Sequence, residues 1–110
     1  MARGEYLGEF EQLTLLAAAR LGEDAYGMTI RGEIAERTGR EVTIGAVYAT
    51  LDRLVSKGLL RVSLPDPAAA GPQARRFFRL TRAGVTALER ARDQQARMWS
   101  GLDLSRILRR

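Results

Sequence analysis

The sequence contains no cysteine and no histidine. Without cysteine the chain cannot form a disulfide, and it carries no sign of an oxidising compartment. The absence of both residue types removes the commonest general base near neutral pH, the thiolate nucleophile and most transition-metal ligands. A Gly-rich phosphate loop of the form GxxxxGK[ST] is also missing. The sequence therefore predicts a protein that is not an enzyme and that needs no metal or cofactor.

Long apolar runs are missing as well. No stretch approaches the roughly 18 apolar residues of a membrane span, and the N-terminus MARGEYLGEFEQ lacks the apolar segment of a signal peptide. We therefore expect a cytoplasmic protein with no membrane association.

Arginine is the residue type in excess. The chain has 18 basic and 13 acidic residues, a formal net charge of +5, and only Lys57 among the basic residues is not arginine. The planar guanidinium group can pair with a phosphate or a guanine edge through two hydrogen bonds. This favours a polyanionic partner, although an arginine-rich surface also serves solubility. Charge alone leaves both alternatives open.

Three segments carry apolar residues at helical spacing and are each followed by glycine. The first helix is predicted over residues 9–21. The second is predicted to begin after Asp24, as its cap, and to end at residues 38–39. The third is predicted to begin at the N-cap Thr43 and to end at Gly58, with an apolar inner face formed by Val47, Leu51, Leu54 and Val55.

The period then changes. Residues 60–64 and 76–80 are typical of two short strands, separated by a loop containing Pro65, Pro67, Gly71 and Pro72. Thr81 is expected to cap a last helix whose apolar face reaches Leu102, and the tail LSRILRR is expected to fray after Leu104.

The predicted fold is mainly α. It is a winged helix-turn-helix with a three-helix core, a two-stranded wing and a long C-terminal dimerisation helix. We assign residues 1–80 to the DNA-binding domain and residues 81–110 to the dimerisation helix and tail.

The segments AYGMTIRGEI, TIGAVYATLDRLVSKGLL and RRFFRLTRAG resemble the PadR family of winged-helix transcriptional regulators, from about Glu9 to Ala91. VYATLDRLVSKGL is highly specific for the family. The second strand has Phe77 and Phe78 where relatives often have tyrosine, and the wing tip has fewer basic residues than many relatives. The resemblance implies a homodimer that binds double-stranded operator DNA and represses transcription. The alternative is a winged-helix adaptor that binds another protein and not DNA.

Small residues at the start of the third helix allow its backbone to approach the floor of the major groove. Its polar outer row is predicted to include Thr50, Arg53 and Lys57, opposite the apolar stripe. Residues at the start of the second helix are suited to donating to phosphate, although Tyr26 is equally suited to the core. The predicted DNA-binding residues are Tyr26, Thr29, Thr43, Gly45, Ala46, Tyr48, Ala49, Arg53, Arg75 and Arg76.

Tyr48 has two interpretations, which are compatible. Its ring is expected to pack against the first helix, and the resemblance implies that its hydroxyl reaches a phosphate or a base edge. Arg75 and Arg76 are assigned to DNA-backbone or minor-groove contact, with a solvated hairpin as the alternative. Arg79 is assigned to an edge-strand charge that opposes aggregation.

The last helix is predicted to form the dimer interface, because its apolar stripe is too long for its own domain to cover. In the PadR family this helix typically pairs protomers. A small-molecule effector between the protomers, lined in part by Trp99, is an alternative for that residue. The predicted interface residues are Leu88, Ala91, Gln95, Met98, Trp99 and Leu102.

Overall fold

The computed structural model describes residues 6–63 and 75–109. Their elements are α1 (Glu9–Leu21), α2 (Gly27–Thr38), α3 (Ile44–Ser56), β1 (Leu60–Ser63), β2 (Phe77–Leu80), α4 (Arg82–Trp99) and α5 (Leu104–Ile107), with a single 3-10 turn at Gly22–Asp24 between α1 and α2. The predicted winged helix-turn-helix order is confirmed. The predicted wing loop, with its prolines and Gly71, and Leu64 at the end of the first predicted strand lie outside the described residues.

The helices form where the apolar pattern predicts them, and their ends follow local chemistry. Thr43 caps α3, because its hydroxyl accepts a hydrogen bond from the Ala46 N–H at 3.1 Å. Asp24 does not cap α2. It lies in the preceding 3-10 turn, and α2 begins after Tyr26, whose N–H donates to the Thr29 hydroxyl at 3.0 Å.

The core lies between the three N-terminal helices and the wing. Leu15 of α1, Ile30 of α2 and Leu51 of α3 are fully buried, and Phe78 of β2 closes the core from the wing side. Each such side chain contributes roughly 1.5–3 kcal/mol through removal from water. β1 and β2 pair antiparallel with Leu60 opposite Leu80, so that alternate residues of the hairpin face this core.

The segment before α2 also joins the wing. The N–H of Phe78 donates to the carbonyl of Ala25 at 2.9 Å, so the extended residues ahead of α2 lie along the free edge of β2. The start of α2 is thereby fixed against the base of the wing.

The last helix is shorter than predicted. α4 ends at Trp99, and Gly101 adopts a φ of 75°, a left-handed conformation that glycine takes without steric cost. Leu102 therefore lies beyond the helix and does not continue its stripe. The tail does not fray after Leu104 as expected, because Asp103 caps the short helix α5 by accepting from the Ser105 N–H at 3.0 Å.

The chain is elongated, with principal extents of 64 × 32 × 21 Å and a radius of gyration of 16.5 Å. A compact domain of this length has a radius of gyration of about 13 Å. Every residue of α4 after Ala91 is exposed, so the outer half of this helix projects from the core.

Candidate nucleic-acid interface

The start of α3 is an open and uncharged surface. Gly45, Ala46 and Ala49 are exposed, and a side chain added at Gly45 would meet no atom within 4 Å. The Thr43 hydroxyl is engaged as the cap, so it holds the helix start in place while the residue itself remains exposed. A helix end of this kind can place backbone and small side chains close to base edges.

Tyr48 rests on the start of α2. A Cβ atom built at Gly27 would lie 2.5 Å from the Tyr48 hydroxyl oxygen, so this close approach requires glycine at position 27. Tyr48 was expected to pack against the first helix, and the structure places its ring against the start of the second helix. The residue is still 37% exposed, which leaves part of it accessible to a ligand.

The two wing arginines are held by aromatic rings and a carboxylate. The Arg75 guanidinium lies 4.6 Å from the centre of the Tyr26 ring, and Arg76 forms an ion pair with Asp52 of α3 at 3.3 Å. Arg76 also lies 5.8 Å from the Tyr48 ring centre. These contacts hold Arg75 against the residue that precedes α2, and Arg76 against Tyr48 and Asp52 of α3.

We call the set Tyr26, Gly45, Ala46, Tyr48, Ala49, Arg75 and Arg76 the recognition surface. It joins residues from α3, the wing and the segment before α2.

Tyr26 and Thr29 have local structural roles, of which the sequence indicated only the core alternative for Tyr26. The Tyr26 ring packs edge-on against Phe77 with ring centres 5.4 Å apart, and it is half-buried. The Thr29 hydroxyl donates to the Asp24 carbonyl at 2.5 Å and accepts from the Tyr26 N–H. Thr29 thus stabilises the start of α2, and its hydroxyl hydrogen is already engaged.

Arg53 points toward α1 and not toward the recognition surface. Its Nε donates to the Glu11 carboxylate at 3.2 Å, and Lys57 Nζ donates to the same oxygen at 2.8 Å. Thr50, predicted on the polar outer row of α3, is buried at 3% exposure. The outer row of α3 is therefore available only in the first half of the helix. In the second half, Arg53 pairs with Glu11 of α1.

Glu11 is the centre of this ionic cluster. Burial opposes ionisation of its carboxyl, but the Lys57 ammonium, the Gly8 N–H and the Arg53 guanidinium outweigh that penalty and hold its pKa below the usual value of 4.5. The carboxylate is consequently charged near neutral pH and fixes α3 against α1.

Two residues that were not predicted from the sequence support the recognition surface. Asp52 binds Arg76, and Arg31 of α2 donates from Nε to the Val42 carbonyl at 2.8 Å in the turn before α3. The sequence signal that could have identified Asp52 as a partner for a wing arginine is its acidic side chain on the third helix.

The predicted dimer residues differ in how far they are exposed to solvent. Leu88 and Ala91 are half-buried, whereas Gln95 is exposed, Met98 is 80% exposed and Trp99 is 55% exposed. We call Leu88, Ala91, Gln95 and Met98 the α4 stripe, since they follow helical spacing along one face. Its outer part leaves large apolar side chains in contact with solvent.

The sequence model of the "Transcriptional regulator PadR-like family" matches residues 15–90. The comparison with curated proteins gives no match. Among residues 6–63 and 75–109, no helix combines the length and apolarity needed to cross a bilayer.

Solved structures are similar over most of the chain. RosR of H. salinarum is 30% identical, with 91% of this chain and 84% of that chain covered at a TM-score of 0.65. A PadR family transcriptional regulator from Eggerthella lenta is 25% identical, with 91% and 86% covered at a TM-score of 0.67. F93 from STIV, described as a winged-helix DNA-binding protein, has a TM-score of 0.69 over 89% of this chain and 99% of that chain, but at 18% identity this likeness shows the fold alone.

Proposed function

Because the chain belongs to the PadR-like family of transcriptional regulators, we propose that it represses transcription by binding a pseudo-palindromic operator as a symmetric homodimer. The start of α3 enters the major groove, and Arg75 and Arg76 contact the DNA backbone beside it. In this proposal residues 1–80 bind DNA and residues 81–110 pair the protomers.

One observation carries the DNA-binding part of the proposal. The exposed, uncharged start of α3 belongs to the same helix as Tyr48 and Asp52, which contact Arg76, and the neighbouring Arg75 lies on the Tyr26 ring. Small residues permit close approach to bases, and the flanking cations match the phosphates on either side of a groove. An adaptor surface for a protein partner has no such need for cations beside an open helix start.

The exposed end of the α4 stripe supports the homodimer. Two recognition helices must reach half-sites about one turn of DNA apart, roughly 34–36 Å, and a second copy of the chain supplies the second helix. Pairing through α4 would also remove Met98 and Trp99 from water.

The experiment is a titration of the purified protein with a fluorescent duplex from the region upstream of its own gene, at about 150 mM salt. The control is a random duplex of equal length. We expect the upstream duplex to bind about 10³-fold more tightly or better. Ala49→Glu should abolish that preference, whereas Ala19→Glu, the same change at an exposed position of α1, should retain it.

Equal affinity for the two duplexes would contradict sequence-specific binding, and no binding to either would favour the adaptor. The repressor assignment is tested separately with a reporter promoter that carries the bound duplex. Expression of the protein should lower the transcript, and a rise would make the protein an activator.

A further inference from the structure

A cavity of about 420 Å³ lies on the side of the fold where the end of α3 meets the first turns of α4. Lys57 borders it from the end of α3, and Arg82 and Arg90 border it from α4. None of the described residues that line the cavity is acidic. Three cations from two helices therefore face one space.

The charge of these cations is only partly compensated. Lys57 donates to Glu11, whereas Arg82 and Arg90 form no ion pair with a carboxylate within residues 6–63 and 75–109. Glu11 would keep its contacts with Arg53 and the Gly8 N–H if the Lys57 ammonium turned toward the cavity. The site thus offers two uncompensated positive charges and a third that is shared.

The remaining lining is mostly apolar. Leu59, Ala83 and Ala87 supply hydrocarbon surface, and Thr86 adds one hydroxyl. The volume falls within the range of about 300–1,000 Å³ that is common for small-molecule sites, and it exceeds what a bare inorganic anion fills.

We propose that this cavity binds a small phosphate monoester with an apolar body. A phosphate monoester carries a charge of about −1.5 to −2 near neutral pH, which matches the two uncompensated arginines, and its three oxygens can accept from all three cations. The organic part lies against the alanines and Leu59.

The site is separate from both surfaces described above. Arg82, Thr86 and Arg90 repeat every four residues along one row of α4, whereas Leu88, Ala91 and Gln95 lie along another. The cavity and the α4 stripe share no residue, although Ala87 lies one turn before Ala91, and no residue of the recognition surface lines the cavity.

The test is an NMR titration of the free protein with 1-naphthyl phosphate. Inorganic phosphate and 1-naphthol supply the anion alone and the apolar body alone, and 1-naphthyl sulfate keeps the body with a single charge. We expect saturable binding of 1-naphthyl phosphate, weaker binding of the sulfate, and amide shifts centred on Leu59, Ala83 and Ala87.

The variants Arg82→Gln and Arg90→Gln should each weaken binding of 1-naphthyl phosphate about ten-fold, because each removes a charge-assisted contact. Arg97→Gln is the matched control, since it removes the same charge from α4 outside the cavity, and it should change the affinity by less than about two-fold. All three positions are exposed, so the fold should survive.

Equal binding of 1-naphthol or inorganic phosphate, an equal effect of Arg97→Gln, or amide shifts centred on Trp99 would each overturn the proposal, as would absence of binding. The titration contains no DNA, so its result does not depend on operator recognition.

Discussion

The recognition surface and the outer half of α4 differ in how their side chains are held. Tyr48 lies on Gly27, Arg75 lies on Tyr26 and Arg76 pairs with Asp52, so the recognition surface is positioned by the chain itself. Met98 and Trp99 are instead exposed on a helix that projects from the core. The folded monomer therefore suffices to shape the first surface, whereas in the second it leaves large apolar side chains exposed to water.

The largest effect is expected from Met98→Asp, which tests the exposed outer half of α4. In the proposed dimer the new carboxylate would be buried without a partner, at a cost of several kcal/mol. Sedimentation should show a monomer at micromolar concentration, and the Trp99 emission should shift to longer wavelength relative to the wild type.

The matched control for this change is Ala96→Asp, which places the same charge at an exposed position of α4 off the stripe. It should remain dimeric. If the wild-type chain is a monomer, or if both variants dissociate equally, the α4 stripe is not the interface.

Gly27→Ala tests whether the chain itself positions Tyr48 on the recognition surface. The added methyl group would overlap the Tyr48 ring and displace it, and we expect a loss of about 1–3 kcal/mol in the free energy of unfolding. Gly32→Ala lies in the same helix with no atom within 4 Å of the new methyl group, so it should instead stabilise by up to about 1 kcal/mol. Chemical denaturation measures both, and a Gly27→Ala variant that is no less stable than the wild type would show that Tyr48 does not need Gly27.

Glu11→Gln tests whether Arg53 and Lys57 serve the fold. We expect a loss of about 1–2 kcal/mol in the free energy of unfolding at pH 7, because the charge-assisted hydrogen bonds weaken and the partly exposed cations limit the cost. Since the folded-state pKa of Glu11 is lowered, the contribution of its carboxylate to the free energy of unfolding is complete above the usual pKa of 4.5 and declines as the pH falls through the folded pKa.

The difference between wild type and Glu11→Gln should accordingly shrink below about pH 4, as measured by urea denaturation across the pH range. The exposed Glu36→Gln serves as the control and should change stability little. A difference that stays constant down to about pH 2 would show that the ionised carboxylate is not what stabilises the cluster.

The smallest change in free energy is expected at the wing. Arg75→Ala and Arg76→Ala should each weaken DNA binding by less than about 1 kcal/mol near physiological salt, equally for operator and random duplexes. The slope of log affinity against log salt should fall by about one for each arginine that no longer reaches a phosphate. Arg79→Ala removes the same charge from β2 and should leave the slope unchanged; equal slopes for all three variants would exclude the wing from the interface.

Local patterns were sufficient to predict most of the fold. The bounds of α1, the Thr43 and Thr81 caps and the hairpin follow from apolar period, cap chemistry and glycine position, which act over a few residues. Asp24 was misassigned because an acidic residue before a helix resembles a cap, whereas the structure uses it in a 3-10 turn. The end of α4 was misplaced because Leu102 fits the helical spacing even though Gly101 turns the chain.

The site was less predictable because its contacts join distant residues. The spacing of α3 places Arg53 on a polar row, but only the packing of α1 brings Glu11 within reach of it. Asp52 and Arg76 are likewise far apart in the sequence, and the wing register brings them together. The DNA-binding and dimer residues as sets remain predictions, which the variants above test.

The joint at the base of α4 has a consequence for DNA geometry. The Thr81 hydroxyl donates to the Gly58 carbonyl at 2.6 Å and accepts from the Gly84 N–H, and a side chain at position 84 would collide with the Leu59 carbonyl. α4 is thus clamped to the end of α3 and acts as a lever about 27 Å long. A tilt of about 10° at this joint would displace its far end by about 5 Å, so in the proposed dimer the clamp would set the spacing of the operator half-sites.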